Sequence, residues 1–196
     1  MGRIINFVLA GHPTKTNHRL RPLVEKATAD DPSKRYQDAA EFLSAIKRRL
    51  SSIADADRET KLAEKAARGI LDGEVAEWIL EMTDEQLCSR VASNPAFAKT
   101  VVKFTEIDNG NAAFVMDAID QGMTQVCKTW EDHDPFADIA KSIVLSKAPY
   151  DIKERACQTL SYVAWQINRF HAQHLIEDII TSGIDPMLED LLNDSV

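Results

Sequence analysis

The sequence predicts an all-α fold. Apolar residues recur at a period near 3.6 in one segment after another, the spacing that gives a helix one buried face. The seven Gly and seven Pro fall mostly between those segments, as helix punctuation does. No segment alternates apolar and polar residues with β-branched enrichment between hairpin turns, so strands are not expected.

Taken in order, residues 2 to 10 read as a short, buried apolar helix that stops at Gly11, with His12-Pro13 beyond it. Residues 19 to 29 place Leu20, Leu23, Val24 and Ala27 on one stripe. A third helix opens at Asp38 or the turn before it, with Ala39, Phe42, Leu43, Ile46 and Leu50 as its buried face. Ser51, Ser52 and IADADRET then read as a joint between two organisational units, Ala-rich enough for a continuous or kinked helix, with the boundary near residue 52.

Helices are expected at 58 to 71, 74 to 81, 84 to 92 and 95 to 106, followed by a turn at Asp108-Asn109-Gly110-Asn111. The next, 112 to 130, carries Phe114, Val115, Ile119, Met123, Val126 and Trp130. Asp134 caps a helix opened by Pro135 and running to about 146. A break at Ala148-Pro149 precedes a long helix over 151 to 170. One more spans 171 to 182 and ends at Gly183, and Asp185-Pro186 starts a last short one. This succession resembles a HEAT or armadillo arrangement, without a residue-level repeat consensus.

Composition narrows the function. The chain has 196 residues, 44% hydrophobic and 28% charged, enough for one domain with a small appendage and a real core. The 31 acidic residues outnumber the 23 basic ones, and a net charge of -8 opposes binding to nucleic acid or anionic lipid. The cluster Lys47-Arg48-Arg49 reads as the solvated, dipole-compensating end of a helix. No apolar run approaches the ~20 residues of a membrane helix, and IINFVLAG lacks the cleavage site of a signal peptide. Cys88, Cys127 and Cys157 are widely spaced and odd in number, which suggests neither a disulfide framework nor a CxxC metal site and points to a reducing cytoplasm.

The stretch DDPSKRYQDAAEFLSAI carries the most specific signal. Asp31 can accept hydrogen bonds from exposed amides and Pro32 pre-sets its own backbone angle, so the turn leads into the helix. Arg35 offers a planar cation able to grip a carboxylate with two hydrogen bonds. Together with VLAG upstream, this stretch resembles the C-terminal end of a eukaryotic-type serine/threonine protein kinase domain. There an LLTG-like helix end, a loop and a helix precede a DPxxRY turn and a final helix. The resemblance covers residues 2 to about 50 and rests on Asp31, Pro32, Arg35 and Tyr36 as a kinase-like turn. It implies that Arg35 pairs with a glutamate closing the activation segment, which lies outside this chain. The glycine-rich loop, the ATP-orienting lysine, the HRD loop and DFG are also absent, so the resemblance implies no ATP binding and no phosphoryl transfer by this chain.

The resulting division is a C-lobe remnant at 1–50 and a helical regulatory or interaction domain at 53–196. No catalytic residue and no cofactor is expected, and no nucleic acid or membrane. The partner is another protein, the missing part of a kinase domain, or a second copy of the chain. Tyr162 and Arg169 are interface candidates at the end of the long helix, since Tyr, Trp and Arg mark interfaces, while Trp165 reads as core. His171, His174 and Glu177, at i, i+3 and i+6, are candidate metal ligands, with helix-surface histidines as the plainer reading. Trp130-Glu131-Asp132-His133-Asp134 gathers three acids around a histidine, and reads better as a capping linker than as a calcium or acid–base site. No Ser-His-Asp or Cys-His arrangement has a spacing logic. The rival reading is a stand-alone helical enzyme or ligand-binding protein with an inter-helix pocket near His133 or His171.

Overall fold

The computed structural model describes residues 4, 5, 8, 20–29 and 31–193. The described residues are all-α, with no strand among them. They fall into two compact units divided between Lys61 and Leu62. Most of the helix expected over 2–10, with its stop at Gly11, lies outside the described residues, as does Asp30.

The first unit holds helix α1 (Arg21–Ala27), a 3-10 turn (Pro32–Lys34) and the first part of helix α2 (Ala39–Ala67). Its buried apolar residues among those described are Val24, Phe42 and Ala45. So small a unit buries little apolar surface, and several residues expected inside are therefore outside. Leu43 and Leu50 are about half exposed, and the face of α2 that is covered runs through Phe42 and Ala45 instead. At the start of the chain, Ile4, Ile5 and Val8 are helical, but Ile4 is 65% and Val8 72% exposed, against the expected buried helix.

Helix α2 runs unbroken through the expected joint, because neither Gly nor Pro occurs between Pro32 and Gly69. It ends where Gly69 takes a φ of 72°, the left-handed conformation that glycine adopts without a Cβ clash. Just past the helix end, Lys103 Nζ donates to the Gly69 carbonyl at 3.1 Å.

The second unit follows the sequence expectation closely where caps are local. Helix α3 (Gly73–Leu80) is capped by Asp72, whose carboxylate accepts from the Val75 amide at 3.0 Å. Helix α4 (Asp84–Ser93) opens with a reciprocal Thr83–Gln86 capping box. Helix α5 (Pro95–Thr105) has Asn94 as its cap and Pro at its first position. Helix α6 (Asn109–Val126) starts earlier than expected: Asp108 accepts from the Asn111 amide at 2.8 Å, so Asn109-Gly110 forms a first helical turn rather than a hairpin-like one. The helix also ends earlier, which leaves Trp130 outside it and 71% exposed instead of buried.

Helix α7 (Asp134–Leu145) is the centre of this unit, burying Phe136, Ala137, Ile139, Ala140, Ile143 and Val144. It packs on α8 (Tyr150–Ser161), on α5 and on α9 (Phe170–Ser182), while α4 packs on α6 and α10 (Pro186–Asn193) on α8. The single helix expected over 151–170 is interrupted. After Ser161 the chain widens into a π turn over Tyr162–Gln166, then breaks where Asn168 takes a φ of 59°. Among the described residues no helix is long and apolar enough to cross a membrane.

Candidate functional site

The DPSKRY turn folds as a self-contained device in the first unit. Asp31 accepts from the Ser33 amide at 2.9 Å and from the Ser33 hydroxyl at 2.8 Å, and these bonds hold its carboxyl below its ordinary value of 3.8. Pro32 occupies the first position of the turn, where its fixed φ fits and its missing N–H costs nothing. Arg35 folds back, its Nε donating to the Ala29 carbonyl at 2.6 Å. Tyr36 lies against Phe42 with ring centroids 4.9 Å apart, and Lys26 Nζ sits 4.3 Å above the tyrosine ring. The turn is thereby tied both to the helix before it and to the helix after it.

Beside this turn is an open cleft of about 370 Å³. Leu23, Tyr36 and Ala45 give it apolar surface, while Lys26, Arg48 and Arg49 line it with cations. Glu41 also borders the cleft, 3.4 Å from Lys26 and accepting from the Gln37 amide at 2.8 Å. Sequence reasoning missed this site. It took Lys47-Arg48-Arg49 for a helix end, but α2 continues to Ala67, so these cations stand mid-helix with no terminal dipole to compensate.

In the second unit the polar candidates bind one another. Arg169 Nε and Nη2 reach the two oxygens of Asp134 at 2.9 and 2.6 Å, a bidentate fork, and Nη1 lies 3.5 Å from Glu131. Asp134 therefore does not cap its helix as expected, since its carboxylate faces Arg169 instead. The Arg169 guanidinium joins the start of α7 to the start of α9. Asp132 accepts from the Lys128 and Thr129 amides at 2.8 and 2.9 Å, and these bonds hold its carboxyl below the ordinary value. His133 is buried, with Nδ1 at 3.2 and 3.3 Å from the Thr129 and Trp130 carbonyls. The cluster is a folded linker, not a convergent site.

His171 Nε2 lies 2.8 Å from Asp138, His174 is exposed, and Glu177 is exposed. Among the described residues no three His, Cys, Asp or Glu side chains are grouped so as to hold a metal ion. Tyr162 is half-buried against the core, and Trp165, 38% exposed, donates its indole N–H to the Leu192 carbonyl at 3.1 Å. All three cysteines are free thiols, and burial pushes each of them up to about 12, so none is a thiolate nucleophile near neutral pH.

The chain matches no protein-family model, no curated protein and no solved structure. Its function is therefore read from its own residues. Two further cross-helix contacts had no sequence signal. Arg155 reaches Asp117 and Asp120 at 2.7 and 2.6 Å, and Lys141 reaches Asp178 at 2.8 Å. Partners more than thirty positions apart meet only once the helices pack.

Proposed function

We propose that this chain is the non-catalytic C-terminal portion of a serine/threonine protein kinase-like protein. Its first part is a C-lobe remnant, and the helical region after it is a protein-interaction or regulatory module. The observation that carries the reading is the DPSKRY turn. Asp31, Pro32, Arg35 and Tyr36 each have a distinct task in one compact corner between two helices, the setting in which the resemblance puts a DPxxRY turn. The exposure of Ile4 and Val8 also supports it, because a C-lobe fragment leaves apolar surface that the rest of the domain would cover.

The chemistry of the parent is phosphoryl transfer, and this chain supplies none of its machinery, so its own role is binding. Its partner is the rest of a kinase domain or another protein, it needs no cofactor for that role, and its three unpaired thiols suit a reducing cytoplasm. The run of short helices with short breaks favours a HEAT- or armadillo-like scaffold for the second part. The test is the genomic reading frame upstream of Met1. Continuation into codons for HRD and DFG motifs is expected, and an in-frame stop before any such motif would refute the fragment reading.

A further inference from the structure

The two units carry opposite charge. Residues 1–61 have 12 Lys and Arg against 8 Asp and Glu, whereas residues 62–196 have 11 against 23. The cationic cleft described above lies wholly on the first. On the second, the largest exposed aromatic among the described residues is Trp130, 71% exposed in the short connection between α6 and α7. Glu131 follows it with its side chain also 71% exposed, paired on one side with Arg169 at 3.5 Å and otherwise open to solvent. The corner is held in place from beneath: Asp132 takes the Lys128 and Thr129 amides, His133 is buried, and the Arg169–Asp134 fork fixes the start of α7. A large apolar ring is thus presented on a rigid acidic corner without any packing role of its own. That combination is the kind of anchor on which binding energy concentrates.

We propose that copies of this chain associate head to tail, the Trp130-Glu131 corner of one copy entering the Lys26-Arg48-Arg49 cleft of the next. The indole meets Leu23, Ala45 and Tyr36, with Arg48 in the same cleft for cation–π contact, while the acidic corner meets the basic rim. A second copy is the favoured occupant because the chain itself presents the complementary charge and an exposed aromatic for the cleft's apolar lining. The contact is heterologous, so it builds rings or chains whose mass rises with concentration. This inference does not depend on the kinase reading, and neither result decides the other.

The test needs no partner: the purified full chain is weighed by light scattering across a concentration series, at about 0.01 M and about 1 M salt, where the screening length falls from ~30 to ~3 Å. Self-association at low salt that weakens at high salt is expected, and a monomer at both would overturn the proposal. Trp130→Ala removes the corner and Arg48→Glu with Arg49→Glu removes the cleft, all at exposed positions. Each variant alone should be monomeric. Mixed in equal amounts they retain one intact contact and should form a 1:1 dimer of twice the monomer mass. If the mixture stays monomeric, or if either variant alone still associates like the unaltered chain, the pairing is wrong. Helical circular dichroism verifies folding of each variant, and Arg48→Gln with Arg49→Gln replaces the charge reversal if that one unfolds. A monomeric chain that binds a synthetic peptide carrying Trp-Glu-Asp would assign the cleft to another protein's acidic segment, which also overturns self-pairing.

Discussion

Replacing Arg169 by Ala removes the fork that ties the start of α7 to the start of α9. The Arg169 side chain is 20% exposed and that of Asp134 27%, so the pair is largely but not wholly withdrawn from water. Two charge-assisted bonds at 2.9 and 2.6 Å would be worth about 1.5–3 kcal/mol each if fully buried. Partial exposure and side-chain ordering reduce this, which places the expected loss near 2 kcal/mol for the pair as a whole. A loss of about 2 kcal/mol lowers the melting temperature of a unit this size by roughly 4–8 °C. The assay is a double-mutant cycle, with urea unfolding of the unaltered chain, Arg169→Ala, Asp134→Ala and the double variant. A coupling energy of about 1–2 kcal/mol is expected, since each single variant leaves its partner without its main counter-charge. Arg169→Lys should recover only part of it, because an ammonium cannot make the two-pronged contact. A coupling below about 0.3 kcal/mol would mean that the fork is not formed in solution, and the assignment of Arg169 as an internal tie would fall.

Four further outcomes follow from local geometry. A Cβ on Gly122 would stand 3.0 Å from both the Asp84 carbonyl and the Cys88 sulfur, so Gly122→Ala should push α4 from α6 and destabilise by about 1–2 kcal/mol despite alanine's better helix propensity. Gly73→Ala meets nothing within 4 Å and should be neutral or stabilising by up to about 1 kcal/mol, and equal effects in thermal unfolding would refute the close approach. Asp72, Asp132 and Asp178 are held below the ordinary 3.8 by bonds from Lys65, from the Thr129 and Lys128 amides, and from Lys141, respectively. Folded pKa values lower than the unfolded ones stabilise the chain above pH 3.8 and cease to do so as pH falls through them, so urea midpoints should drop on acidification below that value and stay flat only if the bonds are absent. Asp31→Ala should loosen the turn, read as faster hydrogen exchange at the Ser33 amide, and unchanged exchange would show that the turn is not held by Asp31.

Much of the second unit was legible because its helix ends are written locally. Asp72, Thr83 with Gln86, Asn94 with Pro95, and Asp185 with Pro186 each bond to an amide within three residues, so sequence spacing alone places them. What could not be read depends on partners far along the chain. The π turn after Ser161 is stabilised by bonds that skip the helical register, from Ile167 to Tyr162 and from Arg169 to Val163, in a segment whose composition favours an ordinary helix. The role of Asp134 was misread for the same reason, as its capping geometry is local but its arginine is 35 positions away. In the first unit the turn was legible and the buried face of α2 was not, because so small a unit covers only part of an apolar stripe.

The most direct measurement of the central claim is the identity of the native polypeptide that contains this chain. An antibody raised against residues 62–196 would isolate it from its source cells, and mass spectrometry of the isolated polypeptide would read its sequence. The account predicts peptides bearing HRD and DFG motifs in the same polypeptide, upstream of DPSKRY. A polypeptide with neither motif would contradict it.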